Sequence, residues 1–311
     1  MTRLDALLVA MVLVWGANFS VLKVAFDDIP PQSFNSLRIF LASIVFIVAI
    51  AWARRSVEFR KKRISTVFYT PDPLTRRDRW DLVWLGVVGH CFYQLGFAGG
   101  VDLTSVANAA LLMGATPVAV ALLSLALGRE RLAATHWVGV ALSCLGVYFV
   151  VGRGASFGGA TLRGDLLVLG SVLCWSTYTL GATRLMQRHS PLYVTGVTMA
   201  IGGLPYIALA LPQMRHTDWG AVSPWTWGAL VWSALFALNL AYLAWYIAVQ
   251  RLGPTRTAVY SNVVPIAALG VAALWLREPI TSAKAIGAAA ILSGVFLTRL
   301  GRKPSAVPIE E

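Results

Sequence analysis

The segment GATPVAVALLSLALGRE, residues 114–130, has a counterpart 148 positions later in NVVPIAALGVAALWLRE, residues 262–278. Both lie within a longer ungapped match of residues 101–149 to residues 249–297. The identical positions carry residue types with a structural role: Pro117 and Pro265, Arg129-Glu130 and Arg277-Glu278, Gly139 and Gly287, Gly146 and Gly294. Chance matches between apolar segments would mostly pair Ala, Leu and Val. The sequence therefore predicts two copies of one structural unit.

The composition is that of a membrane protein. Of the 311 residues, 57% are hydrophobic and 13% are charged, against roughly 45–50% and 25% in soluble domains. The apolar residues occur in continuous runs of about 20, which is the length of a helix that crosses a hydrocarbon core of ~30 Å. A transmembrane barrel would instead show alternating strands of about ten residues. We predict an all-α integral membrane protein.

The apolar runs predict ten transmembrane helices, five in each copy. The first repeat covers residues 1–152 and the second covers residues 153–311, with a basic loop at residues 53–80 that the second copy lacks. The predicted spans are 4–24, 33–52, 82–101, 106–127, 134–151, 164–185, 192–211, 226–248, 257–276 and 281–299. Because each repeat has an odd number of spans, the two repeats must be inverted relative to each other.

Basic residues predict the orientation in the membrane. Nine lie between Arg54 and Arg79, and this topology places 19 of the 26 on one side and five on the other. The positive-inside rule then puts both termini in the cytoplasm, in a bacterial-type inner membrane. We expect the loop at 54–79 to contact anionic lipid headgroups, and we expect no nucleic-acid partner despite the net charge of +12.

Several segments resemble the drug/metabolite transporter superfamily, in its EamA-type ten-helix branch. They are WGANFSVLK at 15–23, Pro31 with Arg38 and Ala42, residues 103–132, and WVGVALSCLGV at 137–147. The resemblance implies a secondary exporter of small metabolites, in a branch that includes exporters of aromatic and neutral amino acids.

Pro117 and Pro265 lie midway along predicted spans four and nine, at equivalent positions of the two copies. A proline removes a backbone donor and frees a carbonyl four residues earlier. We predict that the two prolines act as hinges or shape a cavity, the alternative being simple packing kinks. The pairs Arg129-Glu130 and Arg277-Glu278 end spans four and nine, with a gating role as an alternative. Small residues on spans five and ten predict close helix packing and a candidate dimer surface; a monomer and a homodimer both stay open.

Polar and aromatic residues recur at helical spacing on four spans and form the predicted substrate site. They are Trp15 and Asn18 on span one, His90, Tyr93 and Gln94 on span three, Trp175 and Tyr178 on span six, and Asn239, Tyr242 and Tyr246 on span eight. For each aromatic residue the alternative is helix packing or a lipid-facing belt. His90 has two possible roles: it carries a proton, or it is an interior histidine whose hydrogen bonds are satisfied.

A site of this kind is rich in rings and amides and nearly free of fixed charge. Arg38 is the only strongly basic residue well inside a span, and it either faces a substrate carboxylate or has a structural role. A phosphorylated ligand would need several cations, so a small net-neutral metabolite fits better. Amino acids, aromatic ones included, are the leading hypothesis for the substrate.

No carboxylate falls in the middle of a span, so the sequence predicts a uniporter rather than a proton-coupled carrier. We expect no metal or other cofactor, because the four histidines and three cysteines lack ligand spacing. The alternatives are a nucleotide-sugar or phosphorylated-metabolite exchanger of the same superfamily, a membrane enzyme, or a channel.

Overall fold

The structure is a computed structural model that describes residues 3–55, 68, 73–126, 134–152, 160–252, 260 and 263–300. Within these residues the chain forms ten helical segments in the predicted order. Seven are uninterrupted: α1 Arg3–Phe26, α2 Pro31–Arg55, α5 Ala134–Gly152, α6 Ala160–Leu185, α7 Pro191–Arg215, α9 Val264–Trp275 and α10 Ser282–Leu300. The other three change geometry along their length: α3 (Arg76–Gly86, Val87–Phe92, Tyr93–Leu103), α4 (α4a Val106–Met113, α4b Thr116–Ala126) and α8 (Pro224–Trp232, Ser233–Leu240, Ala241–Leu252).

Six helices in the described part of the chain are long and apolar enough to cross a membrane, and further apolar segments are shorter. The six are α1, α2, α3, α6, α7 and α8. Large hydrophobic side chains such as Leu204 and Leu274 remain 72% and 87% exposed, as expected for surfaces that face lipid. The protein is an all-α, multi-pass membrane protein, as the composition predicts.

The helices α3 and α8 each contain a π-helical segment, Val87–Phe92 and Ser233–Leu240. The repeat offset of 148 places Val87 on residue 235, so the two segments overlap at equivalent positions of the two copies. A π turn adds a residue to the helical repeat and changes which backbone groups pair. This local change of geometry was therefore duplicated with the fold.

The fourth helix is broken at Gly114 and Ala115, which corrects our expectation of one continuous, kinked span. Pro117 becomes the second residue of α4b, where a proline costs little because that N–H has no helical partner. Pro265 likewise is the second residue of α9; residues 253–259, 261 and 262 before it lie outside the described part of the chain. The carbonyl of Met113, which we expected to be free, accepts a hydrogen bond from Thr116 Oγ1 at 2.6 Å.

The helices α5 and α10 show how the two copies are related. A Cβ atom added to Gly146 would lie 2.8 Å from the carbonyl oxygen of Gly287, and one added to Gly294 would lie 2.5 Å from that of Gly139. A late residue of α5 thus contacts an early residue of α10, and the reverse, so these helices are antiparallel. Because they are equivalent in the two copies, the copies are inverted. The faces we considered as a dimer surface pack on each other inside the chain.

We expect Gly294→Ala to destabilise the protein by about 1–3 kcal/mol, because the added methyl group overpacks the α5–α10 contact. A Cβ at this position would also press on Ser143 Oγ. Gly270→Ala is the matched control, since a Cβ there would meet nothing within 4 Å. Thermal unfolding in one detergent compares the two variants. A melting temperature of Gly294→Ala equal to that of Gly270→Ala would contradict the close packing.

The basic connection is shorter than the predicted range of 53–80. The helix α2 continues to Arg55, and α3 begins at Arg76. Thr75 and Asp78 form a capping box, in which Asp78 N donates to Thr75 Oγ1 and Thr75 N donates to Asp78 Oδ2 at 2.9 Å. This cap fixes the start of α3. Residues 56–67 and 69–72 lie outside the described part of the chain, and so does the predicted contact with lipid headgroups.

Candidate functional site

Rings from both repeats meet inside the bundle in one aromatic cluster. Its members are Trp15, Tyr93, Trp175, Tyr178, Tyr242, Trp245 and Tyr246, from α1, α3, α6 and α8. The indole of Trp175 is central: its centroid lies 5.2 Å from those of Tyr93 and Tyr242 and 5.7 Å from that of Tyr178. These spacings are typical of favourable aromatic contacts.

Helical spacing explains why these rings lie together. Trp175 and Tyr178 are three residues apart on α6, and Tyr242 and Tyr246 are four apart on α8, so each pair shares one face. All four are buried, and Trp15 is half-buried. The lipid-facing alternative that we kept open for these aromatic residues is therefore not the arrangement in the structure.

The π segment of α8 connects the cluster to the first repeat. Trp15 Nε1 donates to the carbonyl oxygen of Ala237 at 3.0 Å, and Asn239 Nδ2 donates to that of Ala42 at 3.0 Å. Ser233 Oγ donates to Asn18 Oδ1 at 2.6 Å. All three α8 residues lie in Ser233–Leu240, so the irregular turn is where α8 bonds to α1 and α2.

His90 lies in the π segment of α3 and is fully buried. Its ring centroid is 4.9 Å from that of Tyr178 and 6.1 Å from that of Tyr242. The Nε2 atom lies 3.2 Å from Thr198 Oγ1, and the Tyr178 hydroxyl lies 3.0 Å from the same oxygen. His90 is thus held at the edge of the aromatic cluster by a threonine of α7.

A chain of polar side chains crosses the bundle beside the rings. Arg38 Nη1 donates to Ser233 Oγ at 3.0 Å, and Nη2 donates to Gln94 Oε1 at 2.9 Å. The bond from Ser233 to Asn18 extends this chain to α1. Gln94 directly follows Tyr93, a member of the aromatic cluster, on α3. The polar chain and the rings therefore form one continuous site.

The structure brings nine of the ten predicted substrate residues into these contacts, while Asn239 contacts the α2 backbone next to them. Sequence reasoning missed Ser233, Thr198 and Trp245. Ser233 and Thr198 gave no signal, because hydroxyl residues inside membrane helices commonly bond to their own backbone. Trp245 could have been found, since it lies three residues after Tyr242 on the same predicted span.

At the predicted outer end of the bundle, the carboxylate of Glu278 caps helix α4. It accepts hydrogen bonds from the N–H groups of Val106 at 2.9 Å and Ala107 at 3.2 Å, and Lys284 Nζ lies 3.7 Å away. A helix N-terminus carries partial positive charge and unpaired N–H groups, which favour an anion. Arg277, at the positive φ of 54°, makes the turn that follows α9 and leads into Glu278.

Two groups of hydrogen bonds, around Lys23 and Asp165, join the helix ends on the same side. Lys23 Nζ donates to the carbonyl oxygens of Val101 at 3.2 Å and Thr104 at 3.0 Å. Thr104 Oγ1 donates to Asp165 Oδ1 at 2.6 Å, and Asn108 Nδ2 donates to Asp165 Oδ2 at 3.3 Å. We call Lys23, Thr104, Asn108, Asp165 and Glu278 the outer polar cluster. It ties α1, α3, α4 and α6 to the α9–α10 connection.

The connection between α1 and α2 is tied to the start of α8 at this end. Asp28 Oδ2 accepts a hydrogen bond from Ser223 N at 2.8 Å. Hydrogen bonds from the side chain of Thr226 and from Ser223 hold the pKa of the Asp28 carboxyl below its ordinary value. The carboxylate therefore stays ionised at neutral pH and fixes this corner.

The break of α4 contacts the start of α9. A Cβ atom added to Gly114, at the break of α4, would lie 2.8 Å from Pro265 Cγ, at the start of α9. The break of α4 and the start of α9 thus lie at a contact between the repeats, where inverted-repeat transporters place their interrupted helices. Among the described residues no group of three His, Cys, Asp or Glu side chains could hold a metal ion.

Comparison with known proteins shows which family shares this sequence and architecture. The sequence pattern of the EamA-like transporter family matches residues 2–152 and 162–300. The chain is 25% identical over 286 residues to the uncharacterized transporter YyaM of Bacillus subtilis, which covers 90% of this chain and 88% of that protein. It is 26% identical over 316 residues to a probable amino-acid metabolite efflux pump of Salmonella typhimurium, covering 97% of this chain and 96% of that protein.

A solved crystal structure superposes with a TM-score of 0.63 at 20% identity, covering 96% of this chain and 98% of that one. At this identity the likeness concerns the fold alone. The family pattern extends over both copies of the repeat and most of the chain. The protein belongs to the EamA-like transporter family.

Proposed function

We propose that this transporter exports small net-neutral metabolites, with amino acids, aromatic ones included, as the substrates. The observation that carries the proposal is the aromatic cluster around Trp175, which is buried where the two repeats meet and joined to amide side chains. Such a site offers ring contacts to an apolar side chain and hydrogen bonds to its polar groups. The name of the Salmonella relative, an amino-acid metabolite efflux pump, supports the same substrate class.

The transport cycle we propose is alternating access between two inverted five-helix repeats, at residues 1–152 and 153–311. The outer polar cluster closes the predicted outer end, and its contacts must break for the site to open outward. Pro117 and Pro265, in the first turns of α4b and α9, provide the hinges. The protein would lie in a plasma membrane with both termini in the cytoplasm, as its basic residues suggest.

We further propose uniport, in which the substrate gradient alone drives export. The carboxylates of the described helices lie at or near helix ends, and Asp165 is bonded to Thr104 and Asn108. A proton-coupled carrier commonly uses a carboxylate at mid-membrane. His90 is the one titratable imidazole in the proposed site, and it is the residue to test if coupling is found.

The direct test is uptake by purified protein in liposomes. We expect liposomes loaded with unlabelled phenylalanine to accumulate labelled phenylalanine or tryptophan faster than protein-free liposomes. Sugar phosphates and nucleotide sugars should not compete, which separates the proposal from the alternative exchangers of the superfamily. Uptake no faster than in empty liposomes, or competition by phosphorylated solutes alone, would contradict the proposed substrate class.

Uniport makes a separate prediction for the same liposomes. Collapse of an imposed pH gradient with a protonophore should leave the initial rate of phenylalanine efflux unchanged within about twofold, because no proton moves with the substrate. The substrate gradient is kept constant in both arms. A fall of the rate to that of protein-free liposomes would show proton coupling, and His90→Gln would then identify whether the imidazole carries the proton.

A further inference from the structure

Arg38 is a buried cation, and its hydrogen-bond partners among the described residues are neutral. Its side chain is 1% exposed, and it donates hydrogen bonds to Ser233 Oγ and Gln94 Oε1. Its Nε atom has no hydrogen-bond partner among the described residues. A guanidinium does not lose its proton in proteins, so the charge at this point of the bundle is permanent.

The described residues offer this charge no counter-ion. In the described part of the chain, the acidic residues lie in connections or within two turns of a helix end. The ion pairs in the described part of the chain involve Arg188, His189 and Lys284, not Arg38. Burial of an uncompensated charge is costly, and packing alone would be served as well by a neutral side chain of similar volume. Among the described residues the guanidinium therefore lacks an anionic partner, which a bound ligand can supply.

We propose that Arg38 binds the carboxylate of the transported substrate; this rests on the proposed function and specifies its substrate class. The free Nε and a neighbouring Nη present the two parallel donors that a carboxylate accepts. A phosphate would add charge that one guanidinium cannot balance. Gln94, which accepts from Arg38, is next to Tyr93 on α3, and the Tyr93 ring lies 5.2 Å from that of Trp175, so an apolar side chain joined to the carboxylate reaches the aromatic cluster.

A partner for the substrate's ammonium group lies one helical turn away. Asn239 bonds through Nδ2 to the carbonyl of Ala42, which is four residues, or about 6 Å, beyond Arg38 on α2. Its Oδ1 atom has no partner among the described residues. An α-amino acid places its ammonium group beside its carboxylate and so fits Arg38 and Asn239 together. The site thus selects zwitterions with an apolar side chain.

The test compares ligands that share one ring and differ in charge. Phenylalanine, phenethylamine, which lacks the carboxylate, and 3-phenylpropionate, which lacks the ammonium, compete for labelled phenylalanine uptake. In the wild type we expect phenethylamine to compete about 10- to 100-fold more weakly than phenylalanine, the loss typical of a charge-assisted hydrogen bond. 3-Phenylpropionate should keep part of its effect. Equal competition by phenylalanine and phenethylamine in the wild type would overturn the proposal.

Variants separate ligand binding from folding. Arg38→Gln should lose most phenylalanine uptake and the preference over phenethylamine, with an unchanged or higher melting temperature, whereas Arg38→Lys should keep part of both. A large fall in the melting temperature of Arg38→Lys, with the ligand preference kept, would indicate a structural role and overturn the proposal. If phenylalanine is not carried at all, the proposed function fails. In that case thermal unfolding of the wild type tests Arg38. Carboxylates, and not their amides, should raise the melting temperature, and no such rise would overturn the proposed role of Arg38.

Discussion

Trp175→Ala should reduce amino-acid uptake by at least about 100-fold, to the level of protein-free liposomes. The indole contacts rings from α1, α3, α6 and α8, with centroids between 5.2 and 6.4 Å away. Its removal takes away the central binding surface and leaves a cavity that costs about 3–5 kcal/mol in a packed interior. Initial uptake rates in liposomes of matched protein content measure the effect.

Two further variants separate the loss of the ring from the loss of stability. Trp175→Phe keeps a ring and should retain at least a tenth of the wild-type rate, with a higher KM for tryptophan. Trp80→Ala removes an indole that is 66% exposed on α3 and should leave uptake within about twofold of the wild type. If Trp175→Ala folds and transports at the wild-type rate, the aromatic cluster is not the substrate site.

Glu278→Ala should open the predicted outer end of the bundle. The carboxylate neutralises the N-terminus of α4 through Val106 and Ala107, and loss of such charge-assisted bonds costs about 1.5–3 kcal/mol. Outward-open molecules should then become about 10- to 100-fold more frequent. The measurement uses Ala107→Cys with Cys91, Cys144 and Cys174 replaced by serine, and a membrane-impermeant maleimide applied to intact cells. Because Ala107 is 3% exposed, labelling should be slow until Glu278 is replaced.

Controls for this prediction come from the same chain. Ala221→Cys lies in the exposed connection between α7 and α8 and should be labelled with or without Glu278, which also checks the sidedness. Glu278→Gln keeps an acceptor without charge and should give an intermediate rate. Equal labelling of Ala107→Cys in the presence and absence of Glu278 would show that the outer polar cluster does not close the site.

The sequence was sufficient for features that are local and periodic. The repeat with Pro117 and Pro265 predicts the number and order of helices. A spacing of three or four residues places Trp175 and Tyr178 on one helix face, and Tyr242 and Tyr246 on another. These rules need only helical geometry. They correctly predict which faces point inward, because aromatic and amide side chains at these positions gain partners inside the bundle.

Other features depend on contacts between distant segments and leave no periodic pattern. The π segments shift the helical phase, and with it Ser233, by an amount that sequence spacing does not encode. The break of α4 falls at Gly114 and not at Pro117, because a proline is accommodated best in the first turn of a new helix. The neutral surroundings of Arg38 follow from the packing of α2, α3 and α8 together, so the sequence left its role open.

The most direct test of the account is an experimental structure of the protein with bound phenylalanine. We predict a bound ligand whose ring contacts Trp175 and Tyr242, between helices of the two inverted repeats. A ligand bound instead in the peripheral pocket lined by Leu37, Trp219 and Trp227 would contradict it, because that pocket lies at the outer ends of α2 and α7 and away from the aromatic cluster.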